Sequence, residues 1–220
     1  MLPLAALILI LPSAHAELVY RQSCGKVEKA RMLDVAFEVA VERGGKEVYR
    51  GNLAVADGNR LRAELRGGHG PDDRVVVVSD GKRTAMNDVV DATPPPKGTT
   101  AELLGCFGRG GAYPTMFRTE VVGPGETPGI TPEQVRATGF EWRGAEQVGG
   151  RRAVVVGYRL GVKRESYGVT AWIDAETHLP IKRVFTCREG GRDVTATETY
   201  GRVVVDGKID PRLFDLPKDK

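Results

Sequence analysis

GVTAWIDAETHLPIKRVFTCREGGRDVTATETYGRVVVDGKIDPRLFDLP, residues Gly168 to Pro217, is a row of short β-rich runs separated by turn clusters. The clusters are Asp174-Ala175-Glu176-Thr177, Glu189-Gly190-Gly191-Arg192 and Val205-Asp206-Gly207-Lys208. Such punctuation predicts an antiparallel meander, with strands over Ile181–Thr186, Asp193–Tyr200 and Arg202–Val205. The pattern continues upstream. Tyr167, Val169, Ala171 and Ile173 alternate with other residues, and from Phe140 onward Val154, Val156, Tyr158 and Leu160 alternate with Val155, Gly157 and Arg159. Period two places each set on one face of a strand.

A second group of strands is expected near the N-terminus. Val35, Phe37, Val39 and Val41 share a face, Gly44-Gly45-Lys46 turns the chain, and Val48–Val55 follows. After Asp57-Gly58-Asn59, Leu61, Ala63 and Leu65 alternate with Arg60, Arg62, Glu64 and Arg66. The tetravaline run in Arg74–Ser79 reads as a strand buried on both faces or at a sheet centre. Asp80-Gly81-Lys82 turns into Arg83–Val89, and Pro94-Pro95-Pro96 ends the pairing because successive prolines cannot join a ladder.

The middle of the chain is different. Thr99-Thr100-Ala101-Glu102 reads as a capping box opening a helix over Thr100–Phe107, with Leu103, Leu104 and Phe107 on one side. Gly108–Met116 is irregular, Gly123–Gly129 is a loop, and Thr131-Pro132-Glu133-Gln134 opens another short helix. Strands at both ends and helices between them exclude βαβ alternation. The expected fold is mainly β with short helices (α+β): a strongly curved antiparallel sheet holding helices on one face.

Leu2–Pro12 is almost wholly apolar and Ala14-His15-Ala16 is an A-x-A cleavage site, so residues 1–16 read as a signal peptide, although no Lys or Arg precedes the apolar run. Residues 17–220 then form a single domain, long enough to bury roughly 70% of its unfolded surface. No later segment is long and apolar enough to span a membrane. The net charge of +3 is scattered in pairs such as Arg151-Arg152 and Lys182-Arg183, and aromatics are only 6%, which argues against nucleic acid as a partner. Cys24, Cys106 and Cys187 allow one disulfide in any of three pairings, or three small buried side chains. Arg21-Gln22-Ser23 before Cys24 lacks the small apolar residues of a lipid-attachment site, so no lipid anchor is expected.

No catalytic or cofactor signature stands out. Ser79, His69 and His178 have no sequence-local catalytic partners, the cysteines show no C-x-x-C, and Gly70-Pro71-Asp72-Asp73 lacks the spacing of a calcium loop. Asp88 and Asp91 read as solvated acids, and Gly108-Arg109-Gly110-Gly111 follows a helix rather than preceding one, the reverse of a phosphate-binding fingerprint. What remains is apolar surface. Val35, Phe37, Val39, Leu61, Leu65, Val154, Val156, Tyr158, Ile173 and Phe185 on the strands, with Leu103 and Phe107 on the helix, form either a packed core or the lining of a lipid-sized cavity.

Trp172-Ile173-Asp174-Ala175-Glu176-Thr177-His178-Leu179-Pro180-Ile181-Lys182 resembles the W-[IV]-D-x-x-T-x-L-P-[LI]-[KR] stretch of LolA-like periplasmic lipoprotein carriers and outer-membrane lipoprotein-sorting proteins. Glu198-Thr199-Tyr200, Val205–Ile209 and Phe214-Asp215-Leu216-Pro217 are similar to the closing strands of that family, and Val78–Lys82 to its midpoint hairpin. The resemblance implies an incomplete antiparallel β-barrel with a helical lid, whose inner face takes acyl chains without covalent chemistry or cofactor. It implies an exported, monomeric carrier or binding protein for a lipid or the acyl chains of a lipoprotein, with an envelope membrane protein as a further partner. An envelope sensor or interaction module of the same fold is the alternative, distinguished by a filled interior. The sequence departs from the family in its first helix, which Glu17–Lys29 supplies only in short form, broken at Gly25, and in offering no arginine that aligns with a lipoprotein-gripping one.

Overall fold

Two meanders of consecutive antiparallel strands meet where the first strand of the chain pairs with the last. The structure, a computed structural model, describes residues 12–67, 74–87, 89–117 and 130–217. Its strands are β1 (Leu33–Glu42), β2 (Lys46–Ala56), β3 (Arg60–Gly67), β4 (Arg74–Asp80), β5 (Thr84–Met86), β6 (Val89–Asp91), β7 (Val135–Val148), β8 (Arg151–Val162), β9 (Glu165–Asp174), β10 (Pro180–Glu189) and β11 (Arg192–Val205). They form one sheet in the order β6-β5-β4-β3-β2-β1-β11-β10-β9-β8-β7. Every neighbouring pair is a hairpin except β1 with β11, which runs from Leu33 opposite Val205 to Glu42 opposite Thr195.

This order leaves β6 and β7 on opposite edges, although they are consecutive in the chain. The connection between them must therefore cross a face of the sheet. It carries α2 (Thr99–Gly110), a π-helical turn at Tyr113–Phe117 and a single 3₁₀ turn at Pro132–Gln134. A longer helix, α1 (Pro12–Glu28), packs beside α2 and against β7, β8 and β9. The crossing also shows that the sheet is bent. α2 touches both β2 and β7, which stand six positions apart in the sheet. A flat sheet would put those strands about 29 Å apart, at about 4.8 Å per strand, whereas a helix is only about 10–12 Å wide. The sheet is an open half-barrel curled around its helical cover.

The alternation read from the sequence holds on the concave side. Leu33, Val35, Phe37, Val39 and Val41 of β1 face inward, as do Tyr167, Val169, Ala171 and Ile173 of β9. Gly51 lies opposite Phe37 across the β1–β2 ladder. A Cβ on Gly51 would overlap the Phe37 ring, whose Cε1 atom would stand 2.9 Å from it. Phe37 is buried, so the ring has little room to yield.

Five expectations need correction. The run expected as one strand over Arg83–Val89 is instead β5 and the start of β6, two short strands paired antiparallel. The tetravaline strand β4 is third from an edge, and Val75, Val76 and Val77 are only half-buried, because the helices cover the other half of the sheet and β5 and β6 are short. α1 does not break at Gly25 but runs through it, since Val19, Tyr20, Ser23, Cys24 and Val27 are buried against the sheet and α2 and outweigh one glycine's preference. α2 starts one residue earlier and ends three later than expected, and Gly98 rather than Thr99 is its N-cap; the Thr99 hydroxyl instead donates to the Pro96 carbonyl at 2.7 Å. The run after Asp193 is one strand through Gly201, not two, with the extra residue taken up as a bulge opposite Ala36 and Phe37. The expected loop at Gly123–Gly129 lies outside the described residues.

The convex face carries charge. Glu64 is nearly buried beneath Arg66, Arg74 and Arg62, whose guanidinium nitrogens donate to it at 2.8, 3.1 and 3.4 Å. Burial alone would raise its pKa, but hydrogen bonds from Arg74 and Arg66 outweigh burial and hold the carboxyl at about 2, against an ordinary 4.5. A depressed folded-state pKa means that this carboxylate stabilises the fold above about pH 4.5 and that the contribution is lost as pH falls towards 2. Denaturation series across that acid window are expected to show a steeper loss of stability for the wild type than for Glu64→Gln. Gly51→Ala is expected to cost about 1–3 kcal/mol by overpacking, read from the urea midpoint at neutral pH.

Candidate functional site

The site is the interface between the concave face of the sheet and its helical cover. Val35, Phe37, Val39, Phe107, Val156, Tyr158, Ile173 and Phe185 come together there in one buried cluster. Leu65 and Val154 pack half-buried against its margin. Leu103 is half-buried and lines a cavity of about 20 Å³ under α2 with Leu53, Cys106, Phe107, Thr115, Met116 and Ile130. Leu61 is buried but lies outside the cluster. Val35, Val39, Val156 and Phe185 have 0% exposed surface, so no water-sized void adjoins them. The small cavity holds about one water-sized sphere.

Aromatic rings fasten the cover to the sheet. Phe107 of α2 meets Tyr200 edge-on with ring centroids 5.9 Å apart, and Tyr113 lies 5.8 Å from Phe185. Tyr20 of α1 stacks at an angle against Tyr158 at 4.8 Å and Phe140 at 5.1 Å. The Tyr158 hydroxyl is buried with no hydrogen-bond partner among the described residues, and burial pushes its pKa well up.

A polar clasp sits in the middle of this apolar interface, and the sequence reading missed it. Arg183 of β10 and Glu198 of β11 are direct cross-strand partners, and both are almost fully buried. Arg183 donates to the carbonyls of Phe107 at 3.2 Å and Gly108 at 2.9 Å, placing its cation at the C-terminal end of α2, where the helix dipole favours positive charge. It also donates to the Tyr200 hydroxyl at 3.2 Å, and that hydroxyl donates onward to Glu198. Glu198 accepts as well from the backbone N–H of Tyr113, just beyond the helix. Burial pushes the Glu198 carboxyl up, against the pull of Arg183 and of these hydrogen bonds.

Gly111 lets the chain come this close. Its φ is +81°, and a Cβ there would stand 2.5 Å from Glu198 Oε2 and 2.6 Å from Arg183 Nη1. A signal for the clasp existed in the sequence. Arg183 is in phase with Phe185, and Glu198 with Val194, Ala196 and Tyr200, so two charges stand on inward-facing positions of amphipathic strands.

The cysteines are free thiols rather than a disulfide. Cys24 Sγ lies 3.3 Å from the Gly108 carbonyl, Cys106 Sγ lies 3.3 Å from that of Ile130, and Cys187 is half-buried. Burial pushes the Cys24 thiol up to about 11 and that of Cys106 to about 12. Ser79 donates to the Arg83 carbonyl and accepts from the Gly81 N–H, stabilising its own turn. Asp91 likewise accepts from the Thr93 N–H nearby. His178 lies in the β9–β10 turn, and Gly108 and Gly110 lie inside α2. His69, Asp88 and Gly70–Asp73 lie outside the described residues. Among the described residues no three His, Cys, Asp or Glu side chains are grouped to hold a metal, and no helix is long and apolar enough to cross a membrane.

Neither a protein-family model nor a curated protein sequence matches the chain. Among solved structures it is similar to MucB at 17% identity, with 92% of this chain and 63% of that one covered and a TM-score of 0.48. The chain thus spans about three-fifths of MucB. It is similar also to LprF from Mycobacterium bovis, with 14% identity, 87% and 94% coverage and a TM-score of 0.49. For the lipoprotein LppX from Mycobacterium tuberculosis the values are 12%, 89% and 97%, and 0.48. Identities and scores this low carry no residue-level correspondence.

Arg183→Met is expected to cost about 3–5 kcal/mol, because Glu198 stays buried without its counter-charge. The double variant Arg183→Met/Glu198→Gln is expected to recover more than half of that loss, a coupling read from urea denaturation of the four proteins of the cycle.

Proposed function

We propose that this protein is a non-catalytic, exported, monomeric binding protein whose helical cover lifts from the sheet to admit the acyl chains of a lipid or lipoprotein. The observation that carries this reading is the clasp. The clasp joins the cover to the sheet by a few charge-assisted hydrogen bonds in an otherwise apolar contact, and buried ion pairs contribute little net stability compared with apolar packing. Its retention fits a contact that must release and re-form. Breaking such hydrogen bonds costs roughly 1.5–3 kcal/mol each. Burying a long acyl chain returns about 0.8 kcal/mol per CH₂, on the order of 10 kcal/mol in all, so a ligand can drive the opening. The unpartnered Tyr158 hydroxyl offers a ligand oxygen one interior hydrogen bond.

Export is inferred from Leu2–Pro12 and the Ala14-His15-Ala16 site. Cleavage after Ala16 would remove the first turn of α1, the buried Ala16 included, and leave Val19, Tyr20, Ser23, Cys24 and Val27 to seat the rest of the helix.

The protein purified without detergent and extracted for lipid mass spectrometry is expected to yield acyl lipid. A fluorescent fatty acid is expected to bind saturably and to bind more readily to Arg183→Met than to the wild type. A second reading, an envelope interaction module with a permanently filled interior, is favoured by the absence of exposed surface on Val35, Val39, Val156 and Phe185. Failure of both proteins to take up probe or lipid would establish that second reading over the first.

A further inference from the structure

β11 outruns its neighbour. Its pairing with β10 ends at Lys182 opposite Thr199, because the chain before Pro180 turns away into the β9–β10 hairpin. Gly201 is the bulged residue, and from Arg202 to Val205 β11 is paired only with β1. Among the described residues no strand lies on its other side there. Residues along an antiparallel strand direct their N–H and C=O groups alternately to either neighbour, so about two of these four offer unpaired backbone groups.

Val203, Val204 and Val205 of this stretch, with Asp206, form one wall of an open cleft of about 1210 Å³. The facing wall is the outer stripe of α1, including Arg21, Lys26 and Lys29, and the β9–β10 turn closes one end. Val203 and Val205 lie on the concave side, as cross-strand partners of the inward-facing Val35 and Leu33, and are only half-buried because β10 is missing beside them. The strand wall of the cleft is therefore three residues long, about 10 Å, with an apolar floor and a basic rim.

The outer edge of the same sheet is protected. β7 carries bulges between Thr138 and Glu141 and between Trp142 and Gly144, together with Arg136, Glu141, Arg143 and Glu146. Bulges and charges are the usual means of blocking edge pairing. On β11 the bulge at Gly201 and the charge of Arg202, which pairs with Asp34, lie at one end, and Val203-Val204-Val205 has neither, so that part of the notch is open by comparison.

We propose that Arg202–Val205 is a β-augmentation site, at which an extended acidic peptide adds a short strand beside β11 in the place β10 vacates. Main-chain hydrogen bonds to β11 supply the pairing, as in other strand-addition modes. Charge selects the ligand. Lys29 has no ion-pair partner among the described residues, Arg21 pairs with Glu17 at 2.6 Å but is largely exposed, and Lys26 reaches only the Thr177 carbonyl, at 2.7 Å. Of the two acids lining the cleft, Asp206 is already committed to the N–H groups of Arg31 and Met32. Acidic side chains on the cover-facing side of the added strand meet these cations, while its apolar side chains extend Val203 and Val205. The site lies outside the sheet–helix interior and does not depend on acyl-chain binding.

The test is titration of the protein with a short blocked peptide of alternating Val and Glu, followed by fluorescence anisotropy. Saturable binding is expected. N-methylation of alternate peptide amides is expected to weaken it at least about tenfold in one register and little in the other, the mark of one-sided ladder bonds. Arg21→Glu/Lys29→Glu, both exposed changes, is expected to weaken it by about tenfold with an unchanged thermal midpoint. Equal binding of all N-methylated peptides would overturn the proposal, as would indifference to the charge reversals. So would binding of anionic vesicles but not peptide, or a concentration-dependent dimer that excludes the peptide by filling the notch with a second copy.

Discussion

The pairing of β1 with β11 is the constraint from which the rest of the architecture follows. Each meander could form from local hairpins alone, and a local hairpin carries no information about the other half of the chain. Joining them through β1 and β11 makes one sheet and sends β6 and β7 to its far edges. The connection must then cross the concave face, and whatever it carries becomes the cover. α2 is over the sheet because of strand order, α1 joins it from ahead of β1, and the bend that lets α2 touch both β2 and β7 encloses the cover.

Within that enclosure two kinds of contact do different things. The apolar residues, from Val35 and Phe185 on the strands to Phe107 on α2, supply most of the adhesion, in proportion to the area removed from water. Arg183, Glu198 and Tyr200 supply direction. They fix where α2 ends and where the chain turns after it, because each hydrogen bond has one acceptable partner and one geometry. Gly111 belongs to the same device, since any larger residue would hold the helix end away from the pair.

Much of this was legible in the sequence, for physical reasons that also set the limits. Strict alternation in β1 and β9 reported the inward faces correctly, because one side of each strand is more deeply buried than the other. The overall class and the order of strands, helices and strands were legible for the same reason, and the fold implied by the LolA-like resemblance is the one observed. The tetravaline strand misled because hydrophobicity reports what a residue tolerates, not how much cover its neighbours provide. Gly25 misled because local propensity is weaker than the burial of five residues along one helix face. Of the candidate apolar residues all but Leu61 and Leu103 lie in or against one cluster, but whether they line a space or fill it depends on side-chain packing, which periodicity does not encode. The clasp was hidden because its members are separated in sequence by fifteen residues and matter only through a ladder register.

The strand order also bears on how the molecule assembles. As the chain emerges, β1 to β6 are complete long before the partner of β1 exists, since Leu33 waits for Val205. Until then one apolar edge of the first meander stands open, and the cover has nothing to close against. Assembly is thus a late zipping event whose rate is set by the search between distant segments rather than by the hairpins. A chaperone that holds the first meander during that wait would act on β1.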